Sequence, residues 1–316
     1  MNVLVTGADG FVGRWLVPAL VAAGHRVTGA VGGAGAASPG GAFRSGVATF
    51  PLDLADARSV EAALAGAPEA VVHLAAVASN SAARRDPGQA WLVNAAGTAR
   101  LLEAAAALRA SGRADPLVLL VSTGEVYGDA LTEPRPRRED DPCRPVSPYA
   151  ASKRAAEIAA DEVARRTELR VIVARPFTHT GPGQAPAFVL PGFAHRIREA
   201  AAAGRREVPA GNLHPVRDVL DVRDVVAAYL LILERGLPGE TYNISSGEGR
   251  PLGEFFRLVA NRLGADVEPV ADPALVRGTD LAYLVGDPAK LRAATGWRPA
   301  IPLDRTLQDL IDAQAN

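Results

Sequence analysis

Seven residues near the start, GADGFVG from Gly7 to Gly13, constrain the fold of this chain more than any other stretch. Before them Asn2 to Thr6 (NVLVT) is a run of apolar and β-branched residues that reads as a buried strand. After them apolar residues recur on one helical face from Val12 to Ala23, and Gly24 offers a C-terminal stop. A strand, a glycine turn and a helix in that order suit a dinucleotide. Gly7, Gly10 and Gly13 fall where a tight turn, a close approach of backbone to a pyrophosphate, and close helix–strand packing would each exclude a Cβ. The helix N-terminus adds free N–H groups and a partial positive charge. The spacing is GxxGxxG, not GxGxxG, so the flanking strand and helix carry the argument against three glycines that merely serve a turn.

At 316 residues the chain can bury a full core, as one large domain or one domain with a smaller lobe. A formal net charge of −1 gives no basis for a nucleic-acid or membrane partner. One cysteine, Cys143, excludes an internal disulfide framework and any multi-cysteine metal site, so no metal is expected and a reducing, cytoplasmic location fits. No apolar run reaches the length of a membrane span or a secretory signal. Of 34 Lys and Arg residues only two are lysines, Lys153 and Lys290. In such a chain each lysine merits attention.

Arg26 to Val31 reads as the second strand, whose end separates NAD from NADP because an acidic residue there would bond the ribose 2′-hydroxyl. It ends Ala30, Val31, Gly32, Gly33, with no carboxylate and no arginine before Arg44, so NADP and NAD both stay open. Gly32 to Gly46 is expected to be mobile until nucleotide binds. Val47 to Leu52 is the third strand. Asp53 at its end either bonds the adenine amino group or caps the helix that starts near Asp56. Ala70 to Leu74 is the fourth strand, followed by Ala75 and Ala76, small enough for a dinucleotide to lie against them. His73 reads as a packed core histidine more than as a catalyst. Asn94 opens an alanine-rich helix to about Arg109, and Leu117 to Ser122 is the fifth strand. Ligands of open parallel sheets bind beyond the strands' carboxyl ends, which puts Ser122 and Thr123 where a substrate would lie. Leu131 to Pro145, rich in proline and charge, reads as a surface loop, and Ser147 with Pro148 starts a helix that runs to about Arg166.

Tyr149 and Lys153 share one face of that helix. A phenol has an ordinary pKa of about 10, and a neighbouring ammonium favours its ionised form, which suits acid–base work. Lys153 could also bond the nicotinamide ribose, while Thr123 bonds a substrate oxygen and Tyr149 exchanges its proton. The plain alternative is a half-buried tyrosine beside a solvated lysine.

With these residues on the page, the chain resembles the extended short-chain dehydrogenase/reductase superfamily, the nucleotide-sugar epimerases, dehydratases and reductases. The matching stretches are VTGADGFVG, VVHLAA, VNAAGT, VSTGEVYG, SPYAASK, RPFTHTGPGQ, VRDVLDVRDVVAAY and DPAKLRAATGWRP, spanning nearly all of the chain. GPGQAPAFVLPGFAHRI, GNLHPVRDVLDVRDV and YNISSGEG look most like the GDP-4-keto-6-deoxymannose reductases, which make GDP-rhamnose. The resemblance and the alternating strands and helices both imply an α/β fold, a Rossmann-type doubly wound parallel sheet with a smaller C-terminal α/β substrate-binding lobe. The resemblance further implies a catalytic set of Thr123, Tyr149 and Lys153. It places NADP or NAD against Gly7, Gly10, Phe11, Val12, Gly13, Asp53, Leu54, Leu74, Ala75, Ala76, Asn94, Ser122, Tyr149, Lys153 and Pro176. A nucleotide-diphosphate sugar would then meet Ser79, Ser81, Thr123, Glu125, Thr178, Gln184, Asn212 and Arg217. Arg217 would clamp a phosphate with its guanidinium fork, and Gly181 to Gln184 with Gly211 to Leu213 would shape the nucleotide pocket. Two positions depart from the pattern. Thr178 stands where family members often carry Asn, and Gly124 before Glu125 replaces the Asp-Glu of thymidine-diphosphate sugar dehydratases, which argues against elimination of that type.

Leu169 to Ala174 reads as the sixth strand, and the helix Val222 to Glu234 and strand Thr241 to Ile244 are expected to return to the first unit. The division is thus 1–175 and 219–245 for the dinucleotide domain, 176–218 and 246–316 for a nucleotide-sugar lobe, with the substrate enclosed between them. The alanine-rich helices Asn94 to Arg109 and Tyr149 to Arg166 could pack against a symmetry mate as a homodimer, or alanine could serve there only as a helix former. Three functions compete. One is a reductase of a 4-keto-6-deoxy sugar; another is an epimerase or dehydratase that keeps NAD+ bound and returns the hydride; the third is a catalytically silent dinucleotide sensor, against which the Tyr149–Lys153 pair speaks.

Overall fold

Short runs of Val, Leu, Ile and Ala, too hydrophobic to leave either face in water, make one parallel sheet. The computed structural model describes residues 1–32, 47–131, 133–276 and 281–314. Its strands are β1 (Asn2–Thr6), β2 (Arg26–Gly32), β3 (Ala48–Leu52), β4 (Ala70–His73), β5 (Leu117–Val121), β6 (Arg170–Pro176) and β7 (Thr241–Ile244). They lie in the order β7-β6-β5-β4-β1-β2-β3, all parallel. Val5 stands between Gly29 of β2 and Val72 of β4, so the order reverses around β1. That reversal leaves a crevice at the strands' carboxyl ends. The stretch from Gly32 to Gly46, expected to be mobile, lies outside the described residues apart from Gly32, which ends β2.

The helices are α1 (Gly13–Ala22), α2 (Ala57–Leu64), α3 (Asn80–Arg85), α4 (Pro87–Trp91), α5 (Thr98–Ala110), α6 (Pro148–Thr167), α7 (Val189–Ala202), α8 (Val222–Arg235), α9 (Leu252–Arg262), α10 (Ala289–Thr295) and α11 (Leu303–Ala313). One face of the sheet packs Leu16, Val17 and Leu20 of α1 with Val225 and Ile232 of α8. The other packs Val60 and Leu64 of α2, Leu101 and Leu102 of α5, and Ala156 and Ala160 of α6. Each such fully buried Leu or Val contributes roughly 1.5–3 kcal/mol. A separate core gathers Phe193 and Ile197 of α7, Phe255 and Phe256 of α9, and Leu307 and Leu310 of α11. Within 246–316, however, Leu291 and Trp297 join the core beneath the sheet instead. Among the described residues no helix is long and apolar enough to cross a membrane.

Two segments differ from the sequence reading. Asn94 does not open a helix. The helical path begins at Pro87, where the Asp86 carboxylate accepts from the Gln89 N–H, and passes through a π-helical turn, Leu92–Gly97, into α5. Widening of this kind is set by packing, and here Gly97 lies so close to Leu54 that a Cβ would stand 2.7 Å from the leucine Cβ. The stretch from Leu131 to Pro145 is likewise no simple surface loop. Arg137 is only 3% exposed; its N–H donates to the Val285 carbonyl, and its own carbonyl accepts from the Asp287 N–H and the Asn243 amide. Charge and proline suggested solvent, but partners far along the chain take up the Arg137 backbone and hold the stretch inward.

Candidate active site

Every element that ends at the sheet's carboxyl edge beside β1 contributes to a cavity of about 550 Å³. The glycine turn forms its floor. Gly7 has a φ of +66°, and a Cβ there would lie 2.8 Å from the Ala75 nitrogen; on Gly13 it would lie 2.4 Å from the Gly7 and Ala8 carbonyl oxygens. Gly10 is exposed on the cavity wall. Val12, at the head of α1, makes no side-chain cap, and Phe11, Val12 and Gly13 all line the cavity, so the helix N-terminus faces whatever anion lies there.

At one end stand Val31, Gly32, Asp53 and Leu54. Asp53 does not cap α2, because Asp56 fills that role by accepting from the Arg58 N–H at 3.0 Å. The Asp53 carboxylate instead accepts from the Ala55 N–H at 2.8 Å, beside the cavity. Leu74, Ala75 and Ala76 form the middle wall, and Ser122, Thr123, Tyr149, Lys153 and Pro176 the far end. His73 is a core residue, as expected: its ring nitrogens bond the hydroxyls of Thr6 at 2.7 Å and Thr98 at 3.0 Å, and burial drives its pKa down to about 3.

Asn94 is not on the wall. Its buried amide accepts from the Val77 N–H at 2.7 Å and donates to the Val77 carbonyl and the Ser152 hydroxyl. It therefore braces the segment after β4 against α6 from behind, a position the π-helical turn gives it.

Ser147 caps α6 by accepting from the Ala150 N–H, which fixes the first turn and brings Tyr149 and Lys153 to the cavity. Thr123 caps the following 3-10 turn and is hydrogen-bonded to Tyr149. Burial raises the Tyr149 phenol well above the ordinary tyrosine range, the Glu125 carboxylate pushes the same way, and the bond with Thr123 opposes both. The lowering by Lys153 expected from the helical spacing is not among these influences. Lys153 is itself depressed by burial to about 8, partly restored by Glu157 one turn further on. Glu157 is held by Arg175 through a bidentate pair at 2.9 and 3.0 Å and by Arg154 at 2.7 Å. The arrangement offers a protonated phenol and a cation that sheds its proton within a mildly alkaline range.

A second cavity of about 290 Å³ shares Glu125, Thr178, His179, Gln184, Phe188 and Leu284 with the first. Ser79, Ser81, Asn212 and Arg217 also line it. Arg217 is anchored by bonds to the carbonyls of Val216 at 2.9 Å and Leu281 at 2.7 Å. Both amide atoms of Gln184 are engaged, with Thr180 and the His179 carbonyl. Asn80 donates to both Glu125 oxygens, at 2.8 and 3.0 Å, and so fixes that carboxylate where the two cavities meet.

Sequence reasoning passed over several lining residues. Arg84 and Arg196 line the second cavity, His179 lines both, and Tyr229 lines the first. The His179 ring stacks on Phe11 with centroids 6.2 Å apart, and its Nδ1 is 2.9 Å from the Phe177 carbonyl. For Tyr229 no signal existed, since an aromatic on an apolar helix face reads as core.

The first cavity fits a nicotinamide dinucleotide: a turn too tight for side chains, an uncapped helix N-terminus for the pyrophosphate, alanines along the wall, and a polar cluster at the far end. Fold and cavity together define an NAD(P)-dependent enzyme of the Rossmann type. The chain belongs to the NAD dependent epimerase/dehydratase family, whose model matches residues 3–245. It is 34% identical over 317 residues to the GDP-6-deoxy-D-mannose reductase of Pseudomonas aeruginosa, covering 98% of this chain and 96% of that one. Among solved structures it resembles RMD from Pseudomonas aeruginosa complexed with NADPH (TM-score 0.82, 32% identity, 99% and 98% coverage). It also resembles the UDP-glucose 4-epimerase of Thermotoga maritima with UDP-glucose (TM-score 0.88, 30% identity, 100% and 99% coverage).

Proposed function

We propose that this protein is a reductase that uses NAD(P)H to convert the 4-keto group of a nucleotide-linked 4-keto-6-deoxy sugar, GDP-4-keto-6-deoxymannose first among them, to a hydroxyl. The observation that carries this reading is the half-buried Tyr149 phenol, which shares the larger cavity with Thr123 and Lys153 and whose pKa is raised by desolvation. It is bonded to Thr123 in the larger cavity, beside the Glu125 that opens onto the smaller one. Reduction needs a neutral acid at that point. The reduced nicotinamide supplies the hydride when bound. Thr123 holds the keto oxygen, Tyr149 gives it a proton as it becomes the hydroxyl, and Lys153 holds the nicotinamide ribose and replenishes Tyr149. Ser79, Ser81, Glu125, Thr178, Gln184, Asn212 and Arg217 receive the sugar nucleotide, and the segments 176–218 and 246–316 form the lobe that encloses it against 1–175 and 219–245. The similarity to a GDP-6-deoxy-D-mannose reductase supports the choice of substrate. The described end of β2 carries no carboxylate, which leaves both NADP and NAD open.

Two further features belong to this reading. Trp91, Leu92 and Ile158 are exposed on the helical layer formed by α4, the π-helical turn and α6, which supports a homodimer built on that layer. A reducing compartment, the cytoplasm, suits a half-buried thiol whose pKa burial raises, since it needs no disulfide partner.

The test is the loss of reduced-nicotinamide absorbance on mixing with GDP-4-keto-6-deoxymannose and its thymidine and cytidine counterparts, with NADPH and NADH in parallel. Stoichiometric consumption is expected with one pair. Tyr149→Phe should lower kcat by about 10²–10⁴-fold. No consumption, together with NAD+ released on denaturation of the purified protein, would replace the reductase by an epimerase or dehydratase.

A further inference from the structure

Tyr229, on the inner face of α8, is fully buried, and its hydroxyl has no hydrogen-bond partner. The same residue lines the larger cavity, and its phenol lies within electrostatic reach of the Tyr149 phenol, which places it at the end where Ser122, Tyr149 and Pro176 stand and away from Asp53 and Leu54. A buried hydroxyl left unpaired is unfavourable, and native proteins rarely keep one unless something else satisfies it. An apolar isostere would have cost nothing here. Phenylalanine fills the same space among Val225, Ile232 and the β-strand residues of that core, so packing alone does not account for the oxygen.

We propose that Tyr229 is an additional cofactor-binding residue whose hydroxyl completes its hydrogen bonding on the nicotinamide carboxamide of the bound dinucleotide. The chemistry matches. A carboxamide presents one acceptor and two donors, a phenol is both donor and acceptor, and the nicotinamide is the half of the ligand that must reach the Tyr149 end. The bond would fix which face of the nicotinamide ring looks toward the keto carbon, because rotation of the carboxamide would break it. The inference rests on the dinucleotide and not on the identity of the sugar, so it stands whether the chemistry is reduction or epimerisation.

The experiment compares Tyr229→Phe with the unaltered protein in two titrations followed by calorimetry: NADPH, and 2′-phospho-ADP-ribose, which lacks the nicotinamide. Tyr229→Phe is expected to weaken NADPH about fivefold, the size of one neutral hydrogen bond, and to leave 2′-phospho-ADP-ribose unchanged. In the absence of nucleotide the variant should melt no lower than the original, and about 2 °C higher where the orphan hydroxyl had been a burden. Equal weakening of both ligands would move the hydroxyl to the ADP-ribose half and overturn the assignment. Unchanged binding of both would reduce Tyr229 to a packing residue. NADH and ADP-ribose take the place of this pair if the protein binds NADH more tightly.

Discussion

At the residue scale the most informative group is Lys153. Burial depresses it to about 8, whereas in an unfolded chain a lysine keeps its proton to about 10.4. Between those values the native state binds fewer protons than the unfolded one, so this residue makes stability rise with pH across the window and weighs most against the fold below it. Function runs the other way. Above about pH 8 the ammonium that holds the ribose disappears, so the affinity for NADPH should start to fall there. Fluorescence titration of NADPH between pH 6.5 and 9.5 checks this, with Lys153→Arg as the partner variant. Arginine stays charged throughout, so the break should vanish with it, and a break that persisted would belong to another group. Tyr149 is pushed up by burial and by Glu125, so its phenol remains protonated across the same range, which an acid requires.

At the scale of elements, the glycine turn and the helix behind it act as one part. Gly13 packs so closely that a Cβ would stand 2.4 Å from two backbone oxygens, neither of which can swing aside. Gly13→Ala should therefore open the turn, lower stability by roughly 1–3 kcal/mol and weaken NADPH at least tenfold. Gly24, just beyond α1, has a φ of +82° but open space around its Cβ position. Gly24→Ala should cost about 1 kcal/mol from left-handed strain alone and leave NADPH binding as it was. Thermal melts and titrations of the two variants separate geometry at the phosphate from strain in a distant turn. Most elements were legible from periodicity and punctuation: β1 and β7 fall at their expected bounds, and α6 starts at Pro148 behind its Ser147 cap, as the sequence reads. The π-helical turn was not. Its extra residue follows from how Asn94 and Gly97 pack against Val77, Ser152 and Leu54, and no local pattern encodes that.

At the scale of the whole molecule, buried charge ties the parts together. Arg175 at the end of β6 bonds Glu157 of α6 and the Tyr127 hydroxyl, which in turn donates to Asn243 of β7. Asn243 also takes hold of the Leu131–Pro145 stretch through Arg137 and Glu139. The outer surface of α6 is where a second copy would sit. Ile158 there is 58% exposed. Ile158→Arg should convert a dimer to a monomer in size-exclusion chromatography with light scattering, while the melting temperature of the separated chain stays within a few degrees. A wild-type protein that ran as a monomer would remove the proposed homodimer.

The sequence by itself determined the α/β class, the glycine turn and the shared helix face of Tyr149 and Lys153, because each is written in local spacing; Thr123 joined them only through its place at a strand end and through the family resemblance. A strand must alternate or saturate with apolar residues, a turn of this tightness must be glycine, and residues four apart on a helix must share a face. Only the tertiary structure decided what surrounds them. It put Asn94 behind the wall, folded the Leu131–Pro145 stretch inward, raised Tyr149 by burial where spacing alone suggested a lysine would lower it, and brought Tyr229 to the cavity from 80 residues further along the chain than Tyr149. Desolvation and long-range contact depend on which distant segments close over a group, and that information exists only once the chain has folded.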